Sequence, residues 1–157
     1  MDFVGGVAVQ VHELLGRYFA IHERVFKFSV GKILPIPGLF PRIDHRARRD
    51  SLMSIHRDLI LAADALARHH NCGVRLSNHP FVLELEAYAR HVADSARRLS
   101  DICLALYLKS EARPQYNAAT YKSDVTAYDA SVEACRVMGS RLNDSFADYR
   151  KARDKAP

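Results

Sequence analysis

Residues 125–149, which read VTAYDASVEACRVMGSRLNDSFADY, decide the fold of this chain. Apolar or small side chains recur there in alternating steps of three and four residues, at Val125, Tyr128, Val132, Cys135, Gly139, Leu142, Phe146 and Tyr149. This spacing puts them all on one face of an α-helix, as in helices that pack lengthwise against one another. The pattern therefore predicts a long helix with one face buried along its whole length.

The same spacing occurs in three earlier stretches, which predict three more helices. The expected core side chains are Val4, Val7, Val11, Leu14, Tyr18, Ile21, Val25 and Phe28 in the first helix, Leu52, Ile55, Leu59, Ala62 and Leu66 in the second, and Phe81, Leu85, Tyr88, Val92, Leu99, Ile102 and Leu106 in the third. Asp44 suits the N-cap of the second helix, and Pro80 suits the first turn of the third. The predicted helices span residues 3–29, 44–71, 80–111 and 120–153.

Short connections between long helices place neighbouring helices side by side in opposite directions. The predicted fold is therefore an all-α, antiparallel up-down-up-down four-helix bundle. The linker at residues 31–43 contains three prolines and two glycines, so it cannot continue a helix. Its apolar side chains, Ile36 and Phe40 among them, are expected to pack over an end of the bundle or against a neighbour.

The composition is typical of one globular domain spanning residues 1–157. Hydrophobic residues make up 48% of the chain and charged residues 26%, which are ordinary values for such a domain. The 23 lysines and arginines exceed the 18 acidic residues and give a net charge of +5. This balance favours RNA or DNA as a partner over acidic substrates in general.

Cysteine usage and hydropathy favour the cytoplasm and exclude a membrane span. Cys72, Cys103 and Cys135 are widely spaced and form no Cys-x-x-Cys arrangement, so we interpret them as reduced thiols. No run of about 18 apolar residues occurs, which leaves no candidate for a membrane-crossing helix. We therefore expect a cytoplasmic protein with no membrane partner.

No metal or cofactor is predicted. Di-iron sites in four-helix bundles use Glu-x-x-His on two helices, and no glutamate of this chain has a histidine three residues later. The eight histidines are instead expected at scattered surface or capping positions.

Arg49 and His56 form a candidate catalytic pair, because a separation of seven residues puts them on one face of the second helix. Together they can bind and cleave a phosphodiester. The pair resembles the Arg-plus-polar…His motif of the HEPN ribonucleases, a helical family in which paired motifs meet across a dimer to cut RNA. An arginine on a basic rim and a histidine beside the core face would explain the same residues without catalysis.

A basic cluster opens the second helix. It consists of Arg42, Arg46, Arg48 and Arg49, with Lys32 in the preceding linker and Arg57 two turns further on. Cations near a helix N-terminus are unfavourable by about 0.3 to 1 kcal/mol each. A docked phosphate would explain their position, since guanidinium groups and backbone N–H groups would both face it. A solvated basic rim is the other explanation.

The order of elements, with Phe40-Pro41-Arg42 and further arginines opening the second helix, resembles the accessory variability determinant of diversity-generating retroelements. This four-helix bundle family also includes proteins encoded within ribosomal RNA intervening sequences. Near its end the family carries Gly-Arg-Met-Leu-Gly-Gly-Trp or close variants. Here Cys135-Arg136-Val137-Met138-Gly139-Ser140-Arg141 is similar at the arginine, the two apolar positions, the glycine and the small residue after it.

The resemblance implies a basic pentameric barrel that binds a reverse transcriptase and its template RNA without catalysis of its own. Independently of the resemblance, Gly139 lies on the expected core face, where glycine costs about 1 kcal/mol relative to alanine. We expect another helix to approach closely at this position.

These observations together predict a non-enzymatic nucleic-acid-binding accessory protein that forms a homo-oligomer and assists a reverse transcriptase. One alternative is a HEPN-like ribonuclease that uses Arg49 and His56. The other is a helical protein–protein interaction module that docks its partner through the linker around Ile36 and Phe40.

Overall fold

The computed structural model describes residues 2–27, 44–74, 76–110 and 117–155. Four helices account for almost all of them: α1 is Phe3–Lys27, α2 is His45–Asn71, α3 is Pro80–Ser110 and α4 is Ala118–Asp154. These bounds agree with the predicted helices to within two residues wherever both ends are described. The predicted all-α bundle is confirmed.

Side chains cap the first turns of α2 and α4. Asp44 accepts a hydrogen bond from the backbone N–H of Ala47 at 2.9 Å, which is the capping role expected for it. Asn117 accepts one from the N–H of Thr120 at 2.9 Å, so α4 begins at Ala118 and not at Thr120. Because an N-cap bonds the N–H three residues ahead, the helix starts just after the asparagine.

Hydrogen bonds join each helix to the next one along the chain. Arg48 of α2 meets Arg24 of α1, His56 of α2 meets Ala93 of α3, and Ser95 of α3 meets Ser131 of α4. The complete up-down-up-down path, including the connections at 28–43 and 111–116, stays a prediction.

The α2–α3 contact is the most extensive in the bundle. Both helices carry small side chains that are at most 3% exposed, namely Ala62 and Ala63 in α2 and Ala89, Ala93 and Ala96 in α3. Alanines let two helix backbones approach closely. A pattern of large apolar residues in the sequence does not reveal them. Helix α3 also contacts α1 and α4, so it lies at the centre of the fold.

Most expected core positions are buried, as predicted for α1, α2 and α3. The expectation for α4 was wrong in one respect: its apolar face is not buried along its whole length. Only Tyr128, Cys135 and Tyr149 are fully buried there, while Phe146 is 36% exposed. The reason lies in the spacing of the helices, because no Cα pair from the described parts of α1 and α4 comes within 8 Å. One side of the α4 face is therefore only partly covered.

Candidate nucleic-acid interface

The first turn of α2 carries arginines and no acidic residue. Its N-cap carboxylate, from Asp44, is directed at the N–H of Ala47 and makes this end of the helix less positive. Three of the predicted phosphate-binding residues, Arg46, Arg48 and Arg49, follow within five positions of the cap. Their directions around the helix decide which of them can act together.

Arg46, Arg49 and Arg57 lie on the outer side of α2, and we call these three residues the basic rim. With about 100° between successive residues, Arg57 points within about 20° of Arg46, and Arg49 within about 60°. The side chain of Arg57 is 70% exposed and that of Arg49 is 40% exposed. No ion pair of Arg46 is found within the described residues, and its side chain is exposed.

Two members of the basic rim have carboxylate neighbours. Arg49 Nη1 lies 3.2 Å from Asp50 Oδ1, and Arg57 Nε lies 3.8 Å from Asp58 Oδ1. Both partners follow directly in the sequence and both arginines are exposed to solvent. Such surface pairs are worth about 0.2 to 1 kcal/mol, so a phosphate can compete with them.

Arg48 has a different role, since it points about 200° away from Arg46 around the helix. Its Nη1 donates a hydrogen bond to the backbone carbonyl oxygen of Arg24 at 3.1 Å. This contact satisfies a carbonyl in the last turn of α1 and ties α1 to α2. Burial lowers the pKa of the Arg48 guanidinium, and the nearby Arg24 adds to the effect. Lys32 and Arg42, the two remaining predicted contacts, lie outside the described residues.

His56 faces α3 and not the solvent side of the basic rim. Its Nδ1 lies 2.9 Å from the backbone carbonyl oxygen of Ala93. A carbonyl oxygen only accepts, so Nδ1 carries a proton and donates it. The histidine thus joins α2 to α3, while Arg49 bonds Asp50. Arg49 and His56, the alternative catalytic pair, therefore bond Asp50 and the Ala93 carbonyl, respectively.

Sequence reasoning missed a buried polar group between α1 and α4. We call it the aromatic joint, and it consists of Tyr18, His22, Phe26 and Tyr128. The two tyrosine hydroxyl oxygens lie 2.6 Å apart, and His22 Nδ1 lies 2.6 Å from the Tyr128 hydroxyl. The ring of Phe26 stacks on that of Tyr128 at a centroid distance of 5.6 Å. Both tyrosines had been placed on core faces, but helical spacing does not reveal that their hydroxyl groups meet.

Burial shifts the pKa values of this group. It raises the pKa of Tyr18 and of Tyr128 well above the usual range, because a phenolate would be poorly solvated there. It lowers the pKa of His22 for the same reason, since the charged imidazolium loses solvation. All three groups are therefore neutral in the folded protein at neutral pH.

Within the described ranges, no group of three or more His, Cys, Asp or Glu side chains is arranged to hold a metal ion. Nor is any described helix sufficiently long and apolar to cross a lipid bilayer.

Comparison with protein-family models, curated proteins and solved structures gave no match for this chain.

Proposed function

We propose that this protein is a non-enzymatic nucleic-acid-binding helical bundle that contacts phosphates through the basic rim. The observation that carries the proposal is the position of Arg46 and Arg49 beside the N-terminus of α2, on one outer side of the helix. Cations cost stability at this end of a helix, and a bound phosphate removes that cost. The net charge of +5 favours the same class of partner.

The contacts of the basic rim are compatible with exchange for phosphate. Arg46 is exposed, Arg49 is held by the adjacent Asp50, and Arg57 is held by the adjacent Asp58 and by a long, exposed hydrogen bond of 3.5 Å to the Ser54 hydroxyl. A guanidinium group donates from a planar fork and can bind phosphate oxygens in pairs. Arg48 is left out of the proposed interface, because its guanidinium is directed at the end of α1.

We further propose that the protein acts as a homo-oligomer and as an accessory subunit of a reverse transcriptase. The partly covered apolar face of α4 supports self-association, since Phe146 on that face is 36% exposed. The role beside a reverse transcriptase rests on the resemblance in element order and in residues 135–141.

The test compares two double variants with the same change in net charge. Arg46→Glu with Arg49→Glu alters the basic rim, whereas Arg141→Glu with Arg150→Glu alters exposed arginines of α4. Fluorescence anisotropy with labelled single-stranded RNA and double-stranded DNA would be measured over a series of salt concentrations. We expect the first variant to lose affinity about tenfold or more and its salt slope to fall by about two, one for each lost phosphate contact.

Equal affinities and slopes for the two double variants would overturn the assignment to the basic rim. Circular dichroism of each variant would show whether the helices remain formed. The same RNA samples test the ribonuclease alternative: cleavage that disappears in His56→Ala would favour it, whereas intact RNA supports a binding role. Light scattering with the absorbance ratio at 260 and 280 nm would reveal an oligomer, bound nucleic acid or a copurifying protein.

A further inference from the structure

The aromatic joint supplies much of the contact between α1 and α4. The two backbones have no Cα pair within 8 Å along their described parts, so long side chains bridge the gap. At the other end of the helices, Arg153 Nη1 lies 3.6 Å from Asp2 Oδ2. That ion pair is partly exposed and therefore weak. The hydrogen bonds of the joint consequently matter for how firmly α1 is held against α4.

In the neutral joint, every buried hydroxyl hydrogen has an acceptor. Both contacts are satisfied when Tyr18 donates its hydroxyl hydrogen to the Tyr128 oxygen and Tyr128 donates its own to Nδ1 of His22. This arrangement requires the tautomer of His22 that carries its proton on Nε2. Two donors then serve two contacts. Since Tyr18 is 2% exposed and Tyr128 is 0% exposed, water does not compete for these groups.

Protonation of His22 breaks this balance. Nδ1 then carries a hydrogen and becomes a donor toward the Tyr128 oxygen, so three donors compete for the same two contacts. Whichever way the hydroxyl groups rotate, one buried hydrogen is left without an acceptor. A buried polar group without a partner destabilises the folded state. The strain falls on the α1–α4 contact, which these three side chains bridge.

The charges that face His22 come from both helices packed against it. Glu23 of α1 and Asp129 of α4 each favour the protonated ring, but loss of solvation outweighs them and lowers the pKa. The unfolded histidine has a pKa of about 6.5. Because the folded pKa is lower, the joint is fully formed above about pH 6.5 and its contribution to stability is lost as the pH falls through the folded pKa.

We propose that the hydrogen-bonded chain of His22, Tyr128 and Tyr18 is a pH-sensitive latch, which holds α1 against α4 when His22 is neutral and loosens it when His22 takes up a proton. The latch does not depend on the proposed nucleic-acid binding, because the basic rim lies on the outer side of α2.

Hydrogen–deuterium exchange with mass spectrometry tests the latch on the full chain. Exchange would be compared at about pH 7.5 and about pH 5, after correction for the intrinsic rates. We expect peptides from α1 to lose at least threefold more protection at the lower pH than peptides from the α2–α3 contact. In His22→Asn this acid-dependent loss should disappear, because the asparagine Oδ1 accepts from Tyr128 in place of Nδ1 and does not titrate.

The matched control is His12→Asn, which removes an exposed histidine of the same helix and should retain the acid response. A second measurement on the unaltered protein keeps the test decisive if His22→Asn does not fold. An NMR titration of the His22 ring gives its protonation midpoint, which should coincide with the midpoint for loss of α1 protection. Different midpoints, or an unchanged acid response in His22→Asn, would overturn the latch.

Discussion

Gly139 of α4 lies beneath the ring of Tyr88 from α3. A Cβ added to the glycine would lie 3.5 Å from Tyr88 Cε2 and 3.6 Å from the Tyr88 hydroxyl oxygen, both ordinary van der Waals distances. The expected close neighbour is therefore a tyrosine side chain, with room for a methyl group beneath it. A larger side chain would have to displace the ring.

This geometry predicts opposite effects for two substitutions of Gly139. Gly139→Ala should raise the free energy of unfolding by about 0.5 to 1 kcal/mol, because alanine loses less backbone entropy in a helix and fits under Tyr88. Gly139→Leu should lower it by about 1 to 3 kcal/mol through overpacking. Urea denaturation of both variants measures the difference. A destabilised alanine variant would show that the ring lies closer than described.

The sequence predicted part of the contact between Gly139 and Tyr88. The three-and-four spacing of apolar residues placed Gly139 and Tyr88 on core faces, because helical geometry repeats regularly along the chain. Which side chain covers the glycine depends on the register between α3 and α4. A period within one helix carries no information about that register, so the partner appeared only in the structure.

At the scale of elements, α2 and α3 make the most extensive contact of the bundle, and both carry buried alanines. Ala93 is 0% exposed and its backbone carbonyl accepts the hydrogen bond from His56 at 2.9 Å. A small side chain here allows the two backbones to approach and the histidine to reach the carbonyl. We therefore regard Ala93 as a spacing residue of this contact.

Enlarging that residue should separate the helices. We expect Ala93→Leu to lower the free energy of unfolding by about 1 to 3 kcal/mol, because the contact has no space for the added carbons. Ala87→Leu is the matched control, since it makes the same change on the exposed side of α3 and should stay within about 0.5 kcal/mol of the parent. Thermal or urea unfolding of the two variants provides the comparison. Equal stabilities would contradict the close α2–α3 packing.

Helix existence and approximate bounds could be predicted from periodicity, caps and prolines. The start of α4 was misplaced because Asn117 was not recognised as its cap, although asparagine is among the favoured capping residues. The partial burial of α4 was missed for a different reason. An apolar face shows that a surface prefers burial, but the distance between α1 and α4 decides how much of it the chain itself covers.

For the whole molecule, the sequence located a basic cluster at the start of α2 but could not separate its members. Helical angles alone place Arg48 opposite Arg46; its contact with the Arg24 carbonyl requires knowing where α1 ends. The aromatic joint was unpredictable for the same reason, since Tyr18 and Tyr128 are 110 residues apart in the sequence. Both features depend on how helices are placed relative to one another.

The buried hydroxyl groups of the joint also have a consequence in alkali. The chain has seven tyrosines and no tryptophan, so tryptophan does not contribute to the absorbance at about 295 nm, where ionised tyrosine is measured. Burial raises the pKa of Tyr88 to about 12 and those of Tyr18 and Tyr128 further still. A tyrosine in an unfolded chain ionises at about pH 10, so these three should ionise only at a higher pH.

Because the folded pKa values are raised, the unfolded chain gives up its phenolic protons first, and stability present below about pH 10 is lost as the pH rises toward the folded values. A base titration followed by absorbance and circular dichroism should therefore show part of the tyrosinate forming only as the helices are lost. Complete ionisation with the helices intact would contradict buried hydroxyls. The pair of tyrosines that joins the first and last helices thus sets an upper limit on the alkalinity that this bundle withstands.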